Sequence, residues 1–176
     1  MKKEINVFDY ANEILTALPK GVLVVTEAED FVNAMTIGWG TLGVEWGKQI
    51  FAIYVRESRF TYDLLMRNPE FTVAVPYGDK YASIAKKAIG ICGSKSGRDA
   101  DKISVAKLTP VDAEIVRPPA LKELPLTLEC KVVFSQRQPV KEIDRQFNNF
   151  YPLTDGEADE HTAYYGEIVK SYIIED

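Results

Sequence analysis

Residues 126–134 read LTLECKVVF, with Leu126, Leu128, Cys130, Val132 and Phe134 alternating against Thr127, Glu129 and Lys131. A period of two is the mark of a β-strand, because successive side chains point to opposite faces. The stretch therefore predicts a strand with one apolar face and places Cys130 in the core. Outward from it, GVLVVT (21–26) and QIFAIYV (49–55) are short, β-branched or aromatic, and nearly all apolar, as strands buried on both faces are. FTVAVP (71–76) puts Phe71, Val73 and Val75 on one face, and Pro76 ends it. YYGEIVKSYII (164–174) reads as one more strand, with less clearly separated faces.

Helical signals are few. Ser58 is placed to cap RFTYDLLMRN (59–68), which Pro69 stops, and Asp63 and Arg67 stand in the favourable i,i+4 order. DKYASIAKKAI (79–89) carries Tyr81, Ile84, Ala85 and Ala88 on one stripe and is expected to end at Gly90. A third helix is expected from Val140 to Phe150, where Val140, Ile143, Phe147 and Phe150 recur at helical spacing between Pro139 and Pro152. TDGEADE (154–160) reads as a surface loop. Alternating strands with only occasional helices predict a mainly β protein with a few short helices, an antiparallel barrel that is closed or nearly so.

The 176 residues, 46% of them hydrophobic, suit a single domain over 1–176. A net charge of -5 argues against nucleic acid and against an anionic membrane surface as partners. The N-terminal MKKEINVFDYANEIL lacks the apolar run of a signal peptide, and the longest apolar run, IFAIYV, is too short to span a bilayer, so a cytoplasmic protein is expected. Cys92 and Cys130 have no C-x-x-C spacing, and His161 is the single histidine, so no metal site is expected.

The acidic balance makes CGSKSGRDADK (92–102) conspicuous. It gathers Lys95, Arg98 and Lys102 among glycines and serines, a composition that suits a small anion and equally a solvated turn. GWGTLG (38–43) matches G-x-G-x-x-G, but VEWGKQ follows it into another strand instead of a helix, which excludes a dinucleotide-binding turn. GSKSG is neither a Walker loop nor a nucleophile elbow, and one histidine offers no convincing hydrolase triad. Three segments remain: NAMTIGW (33–39), VRESRFT (55–61) and the cationic loop. An amide, a hydroxyl and an indole beside two phosphate-friendly stretches describe a site for a flat heterocycle carrying a phosphate.

In order and wording, NAMTIGWG, VRESRFTYDLL, FTVAVP, GSKSGRDADK, LECKV and HTAYYGEI resemble the flavin reductase-like family of FMN-binding split barrels, which includes the flavoredoxins. The resemblance runs from Gly21 to Lys170. It implies an antiparallel Greek-key split β-barrel and a homodimer with FMN near the subunit interface, the stretch from Val140 to Phe150 being the candidate for that interface. By the same resemblance, Asn33, Met35, Thr36 and Trp39 border the isoalloxazine, Arg56, Ser58 and Thr61 hold the ribityl phosphate, and Ser94, Lys95, Ser96 and Lys102 close over it. His161 matches the family's histidine on the side where nicotinamide approaches, although Asp159-Glu160 stand where members often have Gly-Asp; a structural role at the strand's start is the alternative. Arg98 is expected to face solvent or pair with Asp99 or Asp101, and Cys92 to be inert packing. The implied activity is transfer of electrons from NAD(P)H through bound flavin to an acceptor, a small molecule or a protein. The alternatives are a flavoredoxin-like carrier without its own NAD(P)H oxidation, and a non-redox binder of some other phosphorylated ligand.

Overall fold

The computed structural model describes residues 1–154 and 156–175. Its strands are β1 (Lys2–Glu4), β2 (Val22–Ala28), β3 (Phe31–Ile37), β4 (Gly40–Glu45), β5 (Lys48–Arg56), β6 (Glu70–Val75), β7 (Pro110–Val111), β8 (Ala120–Leu121), β9 (Leu126–Gln138), β10 (Leu153–Thr154), β11 (Glu157–Ala158) and β12 (His161–Ile174). The α-helices are α1 (Ala11–Ala17), α2 (Phe60–Arg67), α3 (Ala82–Ser94) and α4 (Lys102–Ala106). Eight strands form one antiparallel sheet in the order β3-β2-β6-β9-β12-β5-β4, with β1 added to the far end of β12. The sheet curls but does not close: β3 and β4, neighbours in sequence, are its two ends. The expected antiparallel split barrel is thus present, open along one edge.

Apolar side chains on both sides of the sheet make the core. Inside the barrel, Val22, Val24, Phe51, Ile53, Phe71, Val73, Leu126, Leu128 and Cys130 pack with Ile14 of α1 and Leu65 of α2. On the outer side of β2, β3 and β6, Leu23, Val25, Ala34 and Ala74 pack under Ala85, Ala88 and Cys92 of α3 and Ile103 of α4. This second layer is why Val22 to Val25 are apolar without a break. Each fully buried Val, Leu or Ile contributes on the order of 1.5–3 kcal/mol.

Several expectations need correction. Thr127 and Glu129 do not face water: both are fully buried, and the Glu129 carboxylate accepts backbone N–H groups of Glu114 (2.7 Å), Ile115 (2.7 Å) and Val116 (3.2 Å). Phe134 leaves the apolar face, because the pairing of β9 with β12 slips between Tyr165 and Gly166, and one extra residue reverses the parity beyond Val132. Phe134 ends half-exposed beside Tyr165, with ring centroids 5.5 Å apart. A second slip between Ile168 and Lys170 explains why the faces of β12 were hard to separate.

Among the helices, α2 begins at Phe60 with Arg59 at the cap position and no side-chain cap, so Ser58 is not the N-cap. α3 continues through Gly90 to Ser94. The roughly 1 kcal/mol cost of a mid-helix glycine is outweighed by burying Ala88 and Cys92. Val140–Glu142 and Arg145–Phe150 are two separate 3-10 turns instead of one α-helix. Neither contains a buried residue, so no continuous stripe is buried, and the Asp144 carboxylate caps the second turn by accepting the N–H of Gln146. Within the expected loop 154–160, Glu157–Ala158 pairs with Leu153–Thr154 as a small hairpin; Asp155 lies outside the described residues. The GWGTLG stretch opens β4, and Trp46 and Gly47 turn the chain back into β5 with φ of 53° and 70°. Among the described residues no helix is long and apolar enough to cross a membrane, and no cluster of His, Cys, Asp and Glu could hold a metal ion.

Candidate cofactor site

A cleft of about 210 Å³ opens where the sheet fails to close. Met35, Thr36 and Ile37, three consecutive residues of β3, all line it. Side chains of a strand alternate, so three in a row can line one cleft only if the strand presents its edge. β3 pairs with β2 alone, leaving its other edge available to a ligand with donor and acceptor atoms in a plane. Thr36 is fixed by donating its hydroxyl to Ile89 O at 2.6 Å.

Across the cleft stand Trp39, Tyr54, Arg56, Arg59 and His161. β12 sets His161 directly opposite Arg56 of β5. The imidazole packs 5.1 Å from the Trp39 ring and 5.2 Å from the Tyr151 ring, and its Nδ1 is buried without a hydrogen-bond partner. Burial foremost, then the nearby Arg56 charge, pushes its pKa down to about 4, with Asp159 opposing. His161 is therefore neutral at neutral pH. Trp39 is held between His161 and Phe150, whose ring lies edge-on at 5.3 Å.

The charges here are mainly cationic. Arg56 donates to Phe150 O at 2.9 Å and lies 3.7 Å from Asp159. Asp159 also accepts the Ser58 backbone N–H (3.3 Å) and hydroxyl (2.8 Å). Arg59 lines the cleft and makes no side-chain hydrogen bond or ion pair among the described residues. Lys102 is only 5% exposed, and its ammonium meets Cys92 O at 3.4 Å. Burial lowers the Lys102 pKa, and the Arg59 charge adds to that effect. Burial likewise raises the Cys92 thiol, as expected of an inert core cysteine.

The cationic loop is tied down by Arg98, which is exposed as expected but pairs with Asp63 instead of Asp99 or Asp101. Its guanidinium donates to Ser58 O (2.9 Å) and Asp63 Oδ2 (2.6 Å) and lies 5.6 Å over the Phe60 ring. Gly97 then presses against β3: a Cβ there would sit 2.2 Å from Asn33 Oδ1 and 2.8 Å from Phe60.

Met35, Thr36, Trp39, Arg56 and His161 thus share one cleft. Asn33 and Thr61 are bonded to each other at 2.9 Å, buried under Gly97, and do not line it. The Ser94 hydroxyl is spent on Gly90 O, and Ser96 Oγ accepts the Arg98 N–H. Lys95 is exposed at the end of α3. Tyr54, Arg59 and Tyr151 were given no place in the site by the sequence, and Asp159 was noted only as the neighbour of His161. Tyr54 carried a signal, being two residues before Arg56 on the same strand face.

An open antiparallel barrel thus sets a free strand edge, a tryptophan and two arginines around one cleft, the makings of a site for a flat, anionic ligand. The chain belongs to the flavin reductase-like domain family, whose model matches residues 15–176. An uncharacterized protein of Archaeoglobus fulgidus is 28% identical over 170 residues, covering 96% of this chain and 78% of that protein. Among solved structures, a flavoredoxin from Methanosarcina acetivorans superposes with a TM-score of 0.66 at 24% identity, covering 88% of this chain and 68% of that one. An FMN-binding domain of a flavin reductase-like enzyme from Shewanella baltica gives a TM-score of 0.66 at 14% identity, covering 98% and 77%. These structural likenesses are likenesses of fold.

Proposed function

We propose that the protein binds FMN in this cleft and works as an oxidoreductase that passes electrons from NAD(P)H to an acceptor. The observation that carries the reading is Lys102, a buried ammonium with one long hydrogen bond, set near the uncommitted guanidinium of Arg59. A buried cation so poorly satisfied is costly unless an anion completes it. Arg56, Arg59, Lys95 and Lys102 would hold the phosphate, and the free edge of β3 with Trp39 would hold the ring. Ser58 would join them only by giving up Asp159. FMN supplies acceptance of a hydride and release of electrons one or two at a time. The chain's part is placement: neutral His161 and Trp39 form the wall against which a nicotinamide would be set. His161 needs no proton for that task.

A homodimer belongs to the same reading. The outer face of β4, β5, β9 and β12 carries exposed Val44, Trp46 and Phe134 beside Tyr165, an apolar surface suited to a second copy. Light scattering should give twice the chain mass.

The deciding experiment is the absorption spectrum of the purified protein after gel filtration, followed by anaerobic NADH or NADPH. Flavin bands that bleach with the nicotinamide alone support the oxidoreductase. Bleaching only with a partner reductase indicates a flavoredoxin-like carrier. A colourless protein that ignores added FMN overturns the reading.

A further inference from the structure

A second cavity of about 450 Å³ adjoins the cationic cleft and shares Gly38, Trp39 and Tyr54 with it. Its other walls come from Leu15 of α1, from Leu18 and Pro19 just after it, and from Gln138 and Tyr151. Among the described residues, no charged side chain lines it, whereas its neighbour is lined by Arg56 and Arg59. The two cavities thus meet at one indole and one phenol but differ in electrostatic character.

The polar groups of the second cavity are Tyr54 Oη, Tyr151 Oη and the Gln138 amide, all able to donate a hydrogen bond without bearing charge. Tyr54 Oη lies 3.4 Å from Thr41 Oγ1 and keeps further capacity as donor or acceptor. Burial raises the Tyr151 phenol, so it stays protonated through the physiological range. Leu15, Pro19 and the rings of Trp39 and Tyr151 supply flat apolar surface. An anion or metal chelate placed here would lose hydration and meet no charged side chain in the walls, while a flat neutral molecule with carbonyl oxygens would meet apolar walls and uncharged donors.

We infer that this cavity is the acceptor subsite and that the electron acceptor is a neutral, flat carbonyl compound of the quinone type. The inference rests on the FMN reading, which supplies the electrons. The quinone takes up two electrons and two protons to give the hydroquinone. NAD(P)H supplies a hydride, which is two electrons and one proton, through the flavin, and water supplies the second proton. Trp39 and Tyr54, common to both cavities, keep the acceptor against the cofactor cleft.

The test is calorimetric titration of the FMN-loaded protein, under air and without NAD(P)H, with naphthoquinone and with its sulfonate, which has the same ring and one negative charge. The neutral quinone is expected to bind at least about tenfold more tightly. Leu15→Arg places a cation at the cavity's outer wall, away from the cofactor cleft. It should weaken the neutral quinone about tenfold and strengthen the sulfonate, while Leu15→Met leaves both unchanged. Equal or tighter binding of the sulfonate by the wild type, or no response to Leu15→Arg, overturns the inference even though FMN is held. If the protein holds no FMN, the parent reading fails separately. The same titration is then run with the cationic cleft filled by excess inorganic phosphate, and the same outcomes decide.

Discussion

Arg98 fastens the loop after α3 to the start of α2 by holding Asp63 Oδ2 at 2.6 Å, with Ser58 O at 2.9 Å on its other nitrogen. As an exposed ion pair this adds only about 0–1 kcal/mol to stability. Its value is geometric, since it fixes Gly97 against Asn33 and sets the path of the chain from Lys95 to Lys102. Arg98→Ala should weaken FMN about three- to tenfold and leave riboflavin unaffected, because only the phosphate depends on this loop. Parallel fluorescence titrations of the two flavins check this, and Arg98→Lys should recover part of the loss.

Lys102→Met replaces the buried ammonium by an apolar chain of similar shape. Removing an unpaired buried charge should leave the ligand-free protein as stable as before or more so, while FMN affinity falls at least about tenfold. The pair of readings is diagnostic: the ligand-free melting temperature holds or rises, and added FMN no longer raises it. A fall in both would make Lys102 a structural residue.

His161 carries a pH signature. Its folded pKa of about 4 lies below the ordinary value of 6.5. As pH falls through 6.5 the unfolded chain takes up a proton that the folded chain refuses until near pH 4. The stability contribution is therefore complete above 6.5 and lost between those values, by up to about 3 kcal/mol. Urea unfolding at several pH values should show this loss in the wild type, and a shallower decline in His161→Gln.

Gly166 stands where the β9–β12 register slips. A Cβ there would meet Phe71 Cζ at 2.6 Å and Cys130 Cβ at 2.8 Å, both inside the barrel. Gly166→Ala should destabilise the protein by about 1–3 kcal/mol, visible as a lower denaturant midpoint. Gly43→Ala has nothing within 4 Å of the new methyl group and is its control.

Local order was legible in the chain itself. The period-two run at 126–134, the doubly apolar GVLVVT and the punctuation at Pro69 and Pro76 report interactions between near neighbours or burial of a whole segment, and both leave a mark on residue type. For the same reason NAMTIGW, VRESRFT and the loop through Lys102 could be picked out as one site's material. Only the tertiary structure decided how that material is used. The Ser58 hydroxyl is spent on Asp159, and Arg98 reaches back to Asp63, because strand pairing brings residues far apart in sequence within hydrogen-bond range. Phe134 turns outward because one extra residue, Val133, is inserted into the pairing of β9 with β12. Residues 140–150 coil into short turns that bury none of their side chains, Phe150 meeting only the edge of Trp39. The uncharged cavity takes its walls from residues as distant as Leu15 and Tyr151, and no local pattern records a surface that exists only after the sheet has curled.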